Sequence, residues 1–139
     1  MCSSDLPMPH IICEYSTNLE DNIRIDALLE VLHGAMLRTG AAELAGLRTR
    51  AAPRDDFRIA DHDPANAFVN VTIRVAKGRP PETRRLIAET VFAAANTHLE
   101  SVFATTPLAL SVEVQEIDPE FRIHTSNIRD WMKTRQPAA

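Results

Sequence analysis

The sequence has few of the residues from which disulfide, metal and phosphate sites are built. Its 139 residues include two cysteines, Cys2 and Cys13, and neither lies in a CxxC or a mixed Cys/His pattern. Such a pair makes neither a disulfide framework nor a zinc site. Four glycines are present, and they form no glycine-rich phosphate-binding loop. We therefore expect no metal site and no phosphate-binding loop.

Concentrated positive charge and long apolar runs are also missing. The formal net charge is −4, and the lysines and arginines are scattered along the chain. Nucleic acids and acidic membrane surfaces select for concentrated positive charge, so we expect neither as a partner. A bilayer span needs about 18 or more apolar residues in a row. The first seven residues, MCSSDLP, lack the pattern of a secretory signal, and we predict a cytoplasmic protein.

The chain does contain alternating strand and helix patterns. Apolar residues at every second position of 67–75 predict a strand with one buried face. Asp26 is the predicted N-cap of a first helix that stops at Gly40, and Pro53 is expected to end the second strand early. His98 lies on the apolar side of the second helix, which favours a core histidine. The predicted elements are strands at 9–15, 47–51, 67–75 and 108–117, helices at 26–39 and 82–103, and a short tail segment at 127–133.

This order, β-α-β-β-α-β, predicts an α+β fold made of two β-α-β units. A helix between two strands makes them parallel, so both helices lie on one face of a four-stranded mixed sheet. Strands rich in Val and Leu make poor solvent faces, and we expect a partner subunit to cover the other face. The predicted boundaries are an N-terminal extension at 1–8, which is absent from the mature protein, a single domain at 9–133 and a disordered tail at 134–139. Trp131 is expected to dock on its own domain or on a neighbouring subunit.

Five segments in the right order carry a family resemblance. The chain resembles the 5-carboxymethyl-2-hydroxymuconate isomerase family of the tautomerase superfamily in MPHIICEYS (8–16), LAGLRTR (44–50), AFVNVT (67–72), GR (78–79) and ALSVEV (109–114). The resemblance implies a tautomerase-like homotrimer that isomerises 5-carboxymethyl-2-hydroxymuconate, a 2-hydroxymuconate, to a 2-oxo-3-enoate in the breakdown of homoprotocatechuate, a 4-hydroxyphenylacetate metabolite. It also implies that the reaction uses neither a metal nor an organic cofactor.

The family's base is the ring nitrogen of a proline at the start of the mature chain, and Pro9 matches that proline. In this sequence eight residues precede Pro9, so its nitrogen would be a non-basic amide. We expect translation to begin at Met8 and the methionine to be removed, which exposes a secondary amine. An unperturbed α-amino group has a pKa near 8. Burial and nearby positive charge both lower that pKa towards neutrality.

The resemblance also assigns groups that bind the substrate's carboxylates. Arginine suits this role because its planar fork donates two parallel hydrogen bonds to a carboxylate. Arg48 matches the arginine of the family's Gly-hydrophobic-Arg segment, and we expect it to hold a carboxylate beside the reacting enol. Arg79 and Arg50 are further candidates for binding the di- or tricarboxylate substrate. His10 is predicted to line the pocket beside Pro9.

Two alternatives remain open. A tautomerase of this kind could act on another unsaturated oxo-acid, since pocket shape decides the choice of substrate. The β-α-β-β-α-β order also describes ferredoxin-like modules that bind small ligands or proteins without catalysis. Retention of residues 1–8 would favour the binding module, because the base would then be an amide.

Overall fold

A single four-stranded sheet with helices packed against it forms the part of the chain that the computed structural model describes, residues 9–135. The predicted extension at 1–8 and the last four residues lie outside this part. The strands are β1 (His10–Ser16), β2 (Arg48–Arg54), β3 (Ala67–Ala76) and β4 (Leu108–Ile117), and the helices are α1 (Ile25–Arg38), α2 (Pro81–His98), α3 (Glu100–Thr105) and α4 (Ile128–Arg135). Short 3₁₀ turns lie at Thr17–Asp21, Leu44–Gly46 and Pro119–Phe121.

The strand order is β2-β1-β3-β4, and the sheet is mixed as predicted. β1 runs parallel to β2, β3 runs parallel to β4, and the central pair β1 and β3 is antiparallel. The starts of β1 and β2 therefore lie at the same end of the sheet as the last residues of β3 and β4. Because Pro9 immediately precedes β1, we call this the Pro9 end of the sheet.

The two faces of the sheet differ in chemistry. On one face, Ile11, Cys13 and Tyr15 of β1 are buried in the same core cluster as apolar residues of α1 and α2. This confirms the prediction that both main helices lie on one face. The opposite face carries His10 and Glu14 of β1, with arginines from the neighbouring strands in register. Alternation sends the Val and Leu residues of the strands to the helices and mainly polar residues to the other side. The expectation that a partner subunit covers this other face stays a prediction.

Two predicted boundaries were wrong, namely the start of α1 at Asp26 and the end of β2 before Pro53. α1 begins at Ile25 after an Arg24 cap position, and Asp26 instead lies in the first turn, where its carboxylate accepts from the backbone N–H of Ala27 at 3.0 Å. A carboxylate there still suits the positive end of the helix dipole. β2 continues through Pro53 to Arg54. An edge strand tolerates proline because an N–H that faces outward has no strand to bond.

The predicted second helix is divided at Leu99, where the backbone leaves helical geometry with φ −96° and ψ 10°. Leu99 itself is fully buried, so the break turns the chain while keeping an apolar anchor in the core. His98 was predicted to be a core histidine, and that was wrong. It is half-buried and lines a groove between α1 and α2 with Val31 and Leu86.

At the C-terminal end, α4 reaches Arg135, two residues past the predicted end of the domain. Trp131 is 55% exposed, so it does not dock fully on its own domain. Docking on a neighbouring subunit stays a prediction. Within residues 9–135, the helices are too short or too polar to cross a bilayer.

Candidate active site

Pro9 is buried at the start of β1 and is joined by its backbone to the second strand. Its carbonyl oxygen accepts a hydrogen bond from the backbone N–H of Arg48, with N and O 3.3 Å apart. The next residue, His10, pairs in register with Arg48 across the parallel ladder. Strand pairing therefore places the predicted base and the first predicted carboxylate-binding residue side by side.

Arg48 and Arg50 project from β2 to the same face, since Thr49 between them contacts His33 of α1 on the other side at 2.8 Å. Both arginines reach His10. Nη2 of Arg48 lies 3.2 Å from Nε2 of the imidazole, and Nη1 of Arg50 lies 3.1 Å from Nδ1. A neutral imidazole has one acceptor nitrogen and a guanidinium has none. Only one of the two contacts is therefore a hydrogen bond, and His10 cannot satisfy both arginines at once.

This environment disfavours the charged form of His10. Burial, together with the positive charges of Arg48, Arg50, Arg122 and Arg74, lowers the pKa of His10 from 6.5 to about 4. The imidazole is therefore neutral near pH 7 and acts as a hydrogen-bond acceptor towards one guanidinium. Burial also lowers the pKa of Arg48, with smaller contributions from Arg122 and Arg50.

Three residues of this cluster were absent from the sequence prediction: Arg74, Arg122 and His124. Arg74 pairs with His10 across the antiparallel β1–β3 ladder. The alternation of β3 predicts that Arg74 lies on the polar side of the strand. The sequence does not show the antiparallel register that places Arg74 opposite His10. Arg122 and His124 follow β4, and burial, Arg122 and Arg48 lower the pKa of His124. Apolar and polar residues alternate in Phe-Arg-Ile-His at 121–124, and this pattern could have indicated an extended segment with one apolar and one polar side.

Arg79 lies apart from these contacts. Its Nη2 donates to the backbone carbonyl oxygen of Ala41, in the turn after α1, at 2.7 Å. Burial lowers the pKa of its guanidinium. The structure thus gives Arg79 a contact that ties the start of α2 to the end of α1, and its predicted substrate contact stays a prediction.

The chemistry of the cluster favours anions over cations. Within residues 9–135, no three His, Cys, Asp or Glu side chains come together in a way that could hold a metal ion. Guanidinium groups carry no acceptor and cannot ligate a metal. They bind carboxylates, through bidentate charge-assisted hydrogen bonds. The guanidinium groups at the Pro9 end of the sheet therefore suit an acidic ligand better than a metal ion.

Comparison with known proteins gives a consistent result along nearly the whole chain. The model of the family described as 5-carboxymethyl-2-hydroxymuconate isomerase matches residues 9–132. A curated Escherichia coli protein, 5-carboxymethyl-2-hydroxymuconate Delta-isomerase, is 30% identical over 126 residues, covering 91% of this chain and 100% of the relative.

Solved structures agree with the fold. The crystal structure of a 5-carboxymethyl-2-hydroxymuconate isomerase from Deinococcus radiodurans R1 superposes with a TM-score of 0.82 at 31% identity, covering 93% of this chain and 96% of that chain. A fused wild-type 4-OT, described as a symmetric trimer, superposes with a TM-score of 0.58 at 20% identity, covering 85% of this chain and 92% of that chain. The second likeness concerns the fold alone. The predicted tautomerase-like arrangement is confirmed.

Proposed function

The chain belongs to the 5-carboxymethyl-2-hydroxymuconate isomerase family, and on this basis we propose that it converts 5-carboxymethyl-2-hydroxymuconate to its 2-oxo-3-ene isomer in homoprotocatechuate breakdown. The observation that carries the proposal is the position of Pro9. It is buried at the start of β1, and its neighbour His10 lies among the guanidinium groups of Arg48, Arg50 and Arg74.

In the proposed reaction, the Pro9 nitrogen accepts the proton of the 2-hydroxyl group. The oxygen electron pair forms the C2=O bond, the C2=C3 electrons move to C3=C4, and the C4=C5 electrons take a proton at C5 from the protonated nitrogen. Atoms and charge balance without a co-reactant. One base serves both transfers if it lies within hydrogen-bond reach of each position. Arg48 would hold the carboxylate next to the enol and stabilise negative charge that develops on the dienolate oxygen.

This mechanism requires that Pro9 be the first residue of the working protein. The start of the family match at residue 9 supports that requirement. We propose that synthesis begins at Met8 and that the methionine is removed. The burial of Pro9 and the arginines beside it would then lower the pKa of the secondary amine.

The decisive experiment determines the mature start and the activity together. Intact mass and N-terminal sequencing of the natively expressed protein should give a chain that begins at Pro9. An ultraviolet assay should show disappearance of the dienol with that form and loss of activity with the full 139-residue chain. A retained extension in a protein without isomerase activity would favour the ferredoxin-like binding module. A Pro9 start with activity only on other unsaturated oxo-acids would keep the chemistry and change the substrate.

We also propose a cytoplasmic homotrimer. The fused 4-OT, a fold relative described as a symmetric trimer, supports this assembly. The C-terminal segment has exposed apolar side chains, including Ile123 and Trp131, which a subunit interface would bury. Native mass spectrometry of the natively processed protein should give three times the subunit mass, and a monomer at micromolar concentration would contradict the trimer.

A further inference from the structure

The C-terminal strap, which we define as residues 118–127, crosses the Pro9 end of the sheet. It starts where β4 ends, at one edge of the sheet. It ends just before α4, in which Arg129 forms an ion pair with Glu43. Glu43 lies five residues before β2, which is the strand at the opposite edge. Nη2 of Arg129 donates to both carboxylate oxygens of Glu43, at 2.7 and 2.8 Å. The strap therefore passes the end of β3 and the start of β1 on its way.

The strap is long enough for this crossing. Three strand spacings of about 4.8 Å separate the two edges, or about 14 Å in total. Arg122 to Asn127 has no regular secondary structure, and six such residues can extend over about 20 Å. The anchor at Arg129 thus holds an extended segment across the strand ends beside Pro9.

Side chains of the strap alternate between two environments. Phe121 is 81% exposed and Ile123 is 102% exposed, whereas Arg122 and His124 between them are half-buried. Nε2 of His124 is shielded from solvent and has no hydrogen-bond partner among residues 9–135. Extended backbone alternates in this way, so the strap turns Arg122 and His124 towards the sheet and its apolar residues outward.

The charges that meet there have the same sign. Among residues 9–135, the ion pairs engage Arg24, Arg54, Arg84 and Arg129, and no carboxylate of this part of the chain pairs with Arg50, Arg74 or Arg122. Glu113 of β4 is an acid in register with Arg50, but the strands β1 and β3 lie between them. The Glu113 carboxylate instead accepts a hydrogen bond from the side chain of Gln115 at 3.3 Å. Like charges brought together without an acid repel one another unless an anion binds between them.

We propose that the strap carries Arg122 to the Pro9 end of the sheet as an additional carboxylate-binding residue, which makes the site selective for acids with three carboxylates over acids with two. This inference rests on the proposed function. The proposed substrate has a carboxymethyl group in addition to the two carboxylates of a muconate. Arg122 binds this third carboxylate, while Arg48 remains with the carboxylate beside the enol.

The test compares ligands that differ by one carboxylate, in the natively processed protein. Tricarballylate and glutarate share a five-carbon diacid chain, and tricarballylate has one carboxylate more. In calorimetric titrations, Arg122→Gln should weaken tricarballylate binding by about tenfold to a hundredfold, the usual value of a hydrogen bond to a charged group. Glutarate binding should change by less than about twofold, since glutarate lacks the group that Arg122 holds.

Two variants sharpen this titration. Arg122→Lys keeps the positive charge and should recover part of the lost affinity for tricarballylate. Arg135→Gln makes the same charge change at the exposed end of α4 and should leave both affinities at the wild-type values. Equal weakening of tricarballylate and glutarate by Arg122→Gln, or no weakening of either, would overturn the proposal.

Turnover gives a second and separate measurement. With 5-carboxymethyl-2-hydroxymuconate, Arg122→Gln should raise KM by about tenfold to a hundredfold while kcat changes little. With 2-hydroxymuconate, which lacks the carboxymethyl group, KM should stay at the wild-type value. Tricarballylate binding needs no turnover, so a protein without isomerase activity would overturn the proposed function and leave the titration result for Arg122 standing.

Discussion

The two ends of the β1–β2 pair present the same residue type in opposite electrostatic settings. At the far end, Nε of Arg54 donates to Oε2 of Glu14 at 2.7 Å, and the pair is partly exposed. At the Pro9 end, Arg48 and Arg50 surround a neutral histidine. Arg54 is therefore paired with an acid of the same sheet, whereas Arg50 and Arg74 at the Pro9 end have no carboxylate partner among residues 9–135. Arginines that project from one strand therefore differ in what surrounds them, since Arg54 faces a carboxylate and Arg50 faces the imidazole of His10.

The largest expected effect comes from removing the base at the Pro9 end. In the Pro9-start form, Pro9→Ala should lower kcat/KM by about 100-fold to 10,000-fold, the usual contribution of a positioned general base. Tricarballylate affinity and the trimer should be retained, because the arginines and the sheet are unchanged. Stopped-flow ultraviolet measurement of dienol consumption checks the rate. A wild-type rate would remove Pro9 from the mechanism.

Arg48→Ala and Arg54→Ala compare the two ends directly. Loss of Arg48 should reduce kcat/KM by about 100-fold to 1,000-fold, since it removes a charge-assisted contact to the reacting part of the substrate. Arg54→Ala should leave the activity unchanged and alter the free energy of unfolding by about 1 kcal/mol or less, as expected for a partly exposed ion pair. Urea unfolding and steady-state kinetics measure both. A large loss of stability with Arg48→Ala and retained activity would show that Arg48 is structural.

His10 should make the Pro9 end sensitive to acid. The pKa of His10 is about 4 in the folded protein against an ordinary 6.5, so the unfolded chain takes up the proton more readily. The contribution of His10 to the free energy of unfolding is therefore lost as the pH falls from 6.5 to about 4.

Urea titrations at pH 7 and pH 4.5 check this effect. His10→Gln should lose less stability between these two pH values than the wild type does. His98→Gln, a matched change on the helix side of the sheet, serves as the control for the loss of a histidine. Equal acid sensitivity in His10→Gln and the wild type would contradict the role assigned to His10.

The smallest effect is expected at the anchor of the strap. Glu43→Gln removes the charged acceptor of Arg129 and loosens the strap without touching Arg122, so KM for the three-carboxylate substrate should rise by about threefold to tenfold. Arg129→Gln should reproduce this change. In a double-mutant cycle, Glu43→Gln should add little to Arg122→Gln, since both act through the same contact. If the effects of Glu43→Gln and Arg122→Gln on KM were fully additive, the Glu43–Arg129 ion pair and Arg122 would act independently.

The fold could be predicted because its signals are local. Alternation at 67–75 and the helical spacing at 82–98 each depend on residues a few positions apart, and the order of elements then limits the topology. The boundaries that failed depend on wider context. Pro53 could remain in β2 because β2 became an edge strand, and the helix break at Leu99 depends on burial against the core.

The candidate site could be predicted in part. The family resemblance pointed to Pro9 and Arg48, and strand alternation added Arg50 on the same face as Arg48. Strand pairing brings them together with His10. Arg74 was hidden because its place beside His10 depends on the antiparallel register. Arg122 was hidden because its position depends on a tertiary anchor between Arg129 and Glu43. Contacts between residues far apart in the chain leave no pattern in a single sequence.

The anchor joins positions 86 residues apart in the chain. During synthesis, Glu43 emerges long before Arg129, so every strand of the sheet has been made before this ion pair can form. The strap can consequently be anchored only after the whole sheet has been synthesised. A message truncated after the codon for Ile117 would encode all four strands and no residue of the strap.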